Sequence, residues 1–227
     1  MRNCRLRQLG RINYASALEL QQRLASDRKQ GLICDQLLLL EHPHVITLGR
    51  NGHMENLLAD DDIMARAGIS FYPTDRGGDV TYHGPGQLVG YPILDLRDWK
   101  RDVGAYVRAV EETIILTLAD YGIEGGRIPK LTGVWVDGRK VAAIGVHLSR
   151  WVTSHGFALN VNTDLSYFQY IVPCGLTKPV TSMAALGVRA SLEEVAARYA
   201  VHFANIFDCE LLEETPELAA SIPEREN

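Results

Sequence analysis

Apolar residues recur along this chain at two spacings, and each spacing predicts a different kind of element. Val103, Val107, Val110, Ile114 and Leu118 fall three or four residues apart, the period of a helix with one buried face, so a helix is predicted from Val103 to Leu118 with Gly122 just beyond it. Ala17, Leu20 and Leu24 carry the same period behind Asn13, a helix-capping residue type, which predicts a first helix ending near Gln30 and Gly31. Ser191-Leu192-Glu193-Glu194 reads as a capping box opening a helix striped by Val195, Tyr199 and Phe203. A short helix is expected from Asp60 to Arg66.

Other apolar runs are too short for helices. Gln36 to Leu40 and Val45 to Leu48, separated by Glu41-His42-Pro43-His44, predict two buried strands. Phe157, Leu159 and Val161 alternate as on a half-buried strand. Gly133 to Val136 and Arg139 to Leu148 flank Asp137-Gly138, the residue pair that suits a two-residue type I′ hairpin turn because both positions need positive φ. Four helices and about seven strands, the strands grouped in hairpins, predict an α+β fold: a mixed, largely antiparallel sheet flanked by helices rather than a doubly wound parallel sheet.

Composition narrows the picture further. A chain of 227 residues, 46% hydrophobic and 22% charged, suits one globular domain over residues 1–227, ending in a polar tail at 221–227. No stretch approaches the roughly 20 apolar residues of a membrane span, and the arginine-studded N-terminus has no apolar signal core, so a cytoplasmic location is expected. Cys4, Cys34, Cys174 and Cys209 lie far apart without a CxxC pair, which suggests neither a disulfide framework nor a thiolate zinc site. A net charge of -5 argues against a nucleic-acid partner.

Two segments invite chemistry. Arg76 to Gln87 holds four glycines, a proline and several hydrogen-bonding side chains, among them Arg76, Thr81, His83 and Gln87; it suits either close backbone approach to a ligand or a structural glycine-rich hairpin around a buried arginine. Cys174, in Val172-Pro173-Cys174-Gly175, sits where proline and glycine favour a turn, a placement open to a reactive thiol or to an inert one. A catalytic thiol needs help, since only a few per cent of free cysteine is thiolate at pH 7. Lys140, alternating with Ala142 and Ile144 on its strand, is either a lysine snorkelling to water or a partly desolvated amine beside a ligand. His83 and His155 are candidates to polarise a carbonyl, or buried structural histidines.

Three segments together resemble one family: RGGDVTYHGPGQLVGYPILDL from Arg76, GVWVDGRKVAAIGVHLSRWVTSHGFALNVNTDL from Gly133, and IVPCGL from Ile171. They resemble the lipoyl(octanoyl) transferases of lipoate biosynthesis, over roughly Leu37 to Met183. The resemblance implies the fold shared by biotin and lipoate protein ligases. It also implies transfer of octanoyl from acyl carrier protein to a lysine of lipoyl domains, those of 2-oxoacid dehydrogenase complexes and the glycine cleavage H protein, through a thioester, with no metal and no ATP. By that likeness Cys174 is the nucleophile and Lys140 its activator. The acyl-binding shell is implied to be Arg76, Gly77, Gly78, Asp79, Val80, Thr81, Tyr82 and His83, then Ala143, Ile144 and Gly145, then Gly156, Phe157 and Ala158. A monomer is expected. The rival readings are an ATP-dependent lipoate or biotin protein ligase, a thiol hydrolase, and a non-catalytic module that binds carrier protein or lipoyl domains. Arg2, Arg5, Arg7, Arg11, Arg139 and Arg150 are candidates for carrier docking.

Overall fold

The structure, a computed structural model, describes residues 2–172 and 178–213; Cys174 and the polar tail lie outside the described residues. Strand β1 (Arg2–Arg11), helix α1 (Tyr14–Lys29), β2 (Asp35–Glu41) and β3 (Val45–Leu48) lead into α2 (Asp61–Ala67), β4 (Ser70–Pro73), β5 (Val80–His83) and β6 (Gln87–Ile93). Then follow α3 (Val103–Ala119), β7 (Gly126–Ile128), β8 (Leu131–Val136), β9 (Arg139–Ser149), β10 (Val152–Asn160), α4 (Leu192–Phe207) and β11 (Cys209–Glu213). Eight strands form one sheet in the order β11-β1-β2-β6-β10-β9-β8-β7, and β4-β3-β5 form a second. In the large sheet only β1 runs parallel to its neighbours, β2 and β11; the remaining pairs are antiparallel.

The leucine run of β2 shows how the sheet is covered on both sides. Leu37 and Leu39 point into the core beneath α3 and α4, with Ile114, Tyr199 and Phe203, while Leu38 and Leu40 pack under α1 with Leu20, Leu24 and Tyr91. A continuous apolar run is what a strand needs when both its faces are buried. A third cluster, including Ile46, Met64, Val80 and Tyr82, lies beneath the small sheet.

The predicted local signals hold. Asp137 and Gly138 both have positive φ in the β8–β9 turn, and Ser191 and Glu194 make the reciprocal capping box of α4. Asn13 stands at the start of α1 without a side-chain cap bond.

Three expectations are corrected. The strands number eleven among the described residues, not about seven: the short β4, β7 and β11 were not expected, and neither was β1, where the arginine-rich N-terminus has Arg7 buried and donating to Gln36 Oε1 at 3.1 Å and Arg2 paired with Asp35 at 3.0 Å. Phe157 and Leu159 belong to a strand buried on both faces rather than half-buried, with Ala158 under α1, and Val161 lies just past its end. The alternation of Lys140 with Ala142 breaks at a bulge: Val134 pairs with Ala142 and Trp135 with Lys140, one step on β8 against two on β9. Val141 is the extra residue; it and Ala142 enter the core beneath α3 and α4, while Lys140 turns to the opposite face with Ala143.

Candidate active site

The face of β9 and β10 turned away from α3 and α4 meets β5 and the glycine-rich loop in a cleft of about 460 Å³, its open mouth included. Arg76, Gly78, Thr81 and His83 line it from the loop and β5, Ala143, Ile144 and Gly145 from β9, and Gly156, Phe157 and Ala158 from β10. Three separate stretches of sequence are thus brought around one space. Tyr14, Tyr91 and His155 complete the lining; His155 was a candidate beside a substrate carbonyl, whereas Tyr14 and Tyr91 were not anticipated there. Four expected residues stand behind the wall instead. Val80 and Tyr82 are fully buried beneath the small sheet, Asp79 accepts hydrogen bonds from His53 N at 3.1 Å and Val80 N at 2.7 Å, and Gly77 donates to Val146 O at 2.9 Å.

Arg76 holds this loop in place. Its Nη2 donates to Thr47 O and Thr47 Oγ1, each at 2.8 Å, so a buried guanidinium joins the loop to β3. The loop lies so close to β9 that a Cβ at position 145 would meet Gly77 O at 2.8 Å; one at position 156 would meet Gly90 O at 2.1 Å. These two glycines are therefore spent on backbone approach rather than on leaving space for a ligand.

Thr81, Ala143 and Ala158 also line a smaller, neighbouring cleft together with Gln87, Lys140, Asn160, Phe168 and Val180. Lys140 is 7% exposed, and its Nζ lies 4.9 Å from the centre of the Trp135 ring, a cation–π distance. Strand pairing fixes its backbone: Lys140 N donates to Pro179 O and Thr181 N donates to Lys140 O, each at 2.9 Å. Asn160 Nδ2 donates to Thr181 O at 2.9 Å, and Asn160 Oδ1 accepts from Gln87 Nε2 at 2.9 Å. On the other side of the segment bearing Cys174, Val172 N donates to Asn56 O at 2.8 Å.

The buried histidines are neutral. His83 Nδ1 lies 2.8 Å from Gln87 Oε1, and because Gln87 Nε2 is directed to Asn160 Oδ1, the imidazole proton sits on Nδ1. Burial, reinforced by neighbouring His42, pushes His83 down to about 3. Its remaining nitrogen carries no proton with which to polarise a carbonyl. Burial likewise lowers His42 to about 4; its Nδ1 donates to Ile12 O at 2.7 Å, and Nε2 accepts from Tyr91 OH at 2.8 Å. His155 is lowered by burial against the opposing pull of Asp75, whose Oδ1 lies 2.7 Å from its Nε2.

The family model for the lipoyl protein ligase A/B catalytic domain matches residues 13–204. The chain belongs to that family. Within it, the chain is 82% identical over 212 residues to the octanoyltransferase of Solibacter usitatus, covering 93% of this chain and 96% of that one. It is 53% identical to the octanoyltransferase of Koribacter versatilis, over 90% and 84% of the two chains. These identities make it an acyltransferase. The crystal structure of lipoate-protein ligase A bound with ATP superposes with a TM-score of 0.77 over 96% of this chain and 92% of that one, at 19% identity, which establishes the shared fold. No helix among the described residues is long and apolar enough to cross a membrane.

Proposed function

We propose that this member of the lipoyl protein ligase A/B family transfers octanoyl from octanoyl-acyl carrier protein to a lysine of a lipoyl domain, by way of a thioester on Cys174. One observation carries the reading. Lys140, an amine withdrawn from solvent at the head of an apolar cleft, has its backbone paired with Pro179 and Thr181, a few residues beyond Cys174 in the sequence. The chain leading to Cys174 is tied at Val172. In this reading the Lys140 ammonium favours the Cys174 thiol as thiolate.

The Cys174 thiolate attacks the carrier thioester carbonyl, the carbon–sulfur bond to the carrier breaks, and the carrier departs as its thiol after taking a proton. One thioester replaces another, so no nucleotide is needed to drive the step. Donating the proton that the departing carrier thiol takes leaves Lys140 neutral; a neutral lysine amine of the acceptor then attacks the acyl-enzyme, an amide forms, Cys174 leaves as thiolate, and the amine's proton returns Lys140 to its ammonium form. The scheme takes acyl carrier protein as donor and lipoyl domains as acceptors, and it draws on neither metal nor ATP. Burying about seven chain carbons contributes about 5 kcal/mol at ~0.8 kcal/mol each.

Incubation of the chain with octanoyl-acyl carrier protein and an apo lipoyl domain, with ATP omitted, tests the proposal. The expected product is a lipoyl domain heavier by one octanoyl group. Turnover only with free octanoate and ATP would instead assign a ligase, and free octanoate released from the carrier thioester a hydrolase.

A further inference from the structure

Alternation along β10 puts Phe157 and Leu159 on the α3/α4 side and Ala158 on the cleft side. By that count His155 belongs with Phe157, away from the cleft. It does not go there. His155 has φ 56, a left-handed conformation rare for a residue with a side chain, and its ring lines the cleft beside Tyr91, their centres 6.4 Å apart. Three elements hold it there: Gln21 Oε1 of α1 accepts from His155 N at 2.8 Å, Asp75 Oδ1 pairs with its Nε2, and Tyr91 packs edge-on. Strain of this kind costs about 1–3 kcal/mol and persists where the surroundings impose it, most often at functional sites.

The β9–β10 hairpin is a track along the cleft. Lys140 and Asn160 stand at its head, Ala143 and Ala158 are paired where they line both clefts, Gly145 and Gly156 follow as a pair, and His155 stands beyond. At about 3.3 Å per residue, Ala158 to His155 is roughly 10 Å, the length of an extended eight-carbon chain. Past His155 lies a second, more polar cleft lined in part by Gln21, Lys29, His147 and Ser154, and His155 borders both.

We propose that His155 is the end wall of the acyl cleft and sets the upper limit of chain length, separating the apolar track from the polar cleft behind it. The inference rests on the acyl transfer proposed above, with the carbonyl at the pair of Ala143 and Ala158, in the smaller cleft that Lys140 also lines, and the terminal methyl against the imidazole. Removing the ring joins the two clefts; enlarging it shortens the track.

The test compares hexanoyl, octanoyl and dodecanoyl carrier proteins as donors for wild type, His155→Gly and His155→Trp, with a lipoyl domain as acceptor. Glycine suits the left-handed backbone and removes the ring. The kcat/KM ratio of dodecanoyl to octanoyl should rise at least tenfold in His155→Gly, each newly buried methylene being worth up to about fourfold. In His155→Trp the ratio of hexanoyl to octanoyl should rise at least tenfold. If one variant fails to fold, the other still decides. Unchanged chain-length profiles in a folded variant, with wild type still transferring octanoyl, would overturn the end wall alone. Failure of wild type to transfer any of the three acyl groups would overturn the transfer itself, and the end wall with it.

Discussion

The two faces of the large sheet are built on different physics. Beneath α3 and α4 the interior is apolar: Ile114, Phe157, Tyr199, Phe203 and Phe207 fill it, with aromatic rings in contact along α4 at 4.5 Å between Phe203 and Phe207 and 4.4 Å between Phe157 and Tyr199. Across the sheet, beside the apolar cluster under α1 and toward the small sheet, comparably buried space holds Arg76, His42, His83, Gln87, Lys140, His155 and Asn160, each engaged by a neighbouring group. One face supplies stability by excluding water from carbon. The other is organised around groups that are costly to bury, and it is where the cleft lies.

This contrast can be broken from either side. The largest effect on stability should come from Phe203→Ala in the apolar face: a fully buried aromatic is lost, at a cost of about 3–5 kcal/mol in urea unfolding. A loss below 1 kcal/mol would mean that this face is not the main source of stability.

Next comes acid sensitivity, which belongs to the polar face. His42 and His83 have pKa values of about 4 and about 3 in the folded chain against 6.5 when unfolded, so between those values the unfolded chain binds more protons and stability rises with pH. It is complete above pH 6.5 and is lost as pH falls; at pH 5 each histidine should have cost up to about 2 kcal/mol. Urea midpoints measured from pH 7.5 to pH 5 should fall steeply in wild type and less steeply in His83→Gln. Parallel curves would show that His83 is not held neutral by burial.

A smaller loss, about 1–3 kcal/mol, is expected for Thr47→Val, which removes the hydroxyl that receives Arg76. Octanoyl transfer should fall with it, since the loop lining the cleft is released. Full activity in this variant would separate the Arg76 clamp from function.

The smallest of these effects is the subtlest test. Lys140→Ala should slow formation of the acyl-enzyme more at pH 7 than at pH 9, because alkali replaces the lost assistance to thiolate formation. Equal slowing at both pH values would remove Lys140 from that role.

How much of this was legible in sequence divides along the same line. The α3 stripe, the Asp137-Gly138 turn and the Ser191 capping box are local devices, and the sequence alone indicates them. Strand β1 was hidden because its arginines mimic a solvated segment until Asp35 and Gln36 of β2 are alongside to receive Arg2 and Arg7. The bulge at Val141 interrupts the alternation of its own strand, and the reversed side chain of His155 is imposed by Gln21 and Asp75, distant in sequence, so neither leaves a periodic trace. The cleft's three segments were recognised through family likeness; that Gly145 and Gly156 serve backbone approach follows only from the packing of β9 against the loop and β10 against β6.

The central claim is that octanoyl rests on Cys174 between donor and acceptor. Intact-mass measurement after mixing the chain with octanoyl-acyl carrier protein, without acceptor, tests it most directly. The account predicts one added octanoyl group, removed by neutral hydroxylamine and absent from Cys174→Ala. An adduct that persists in Cys174→Ala, or octanoyl transfer to a lipoyl domain by that variant at the wild-type rate, would contradict it.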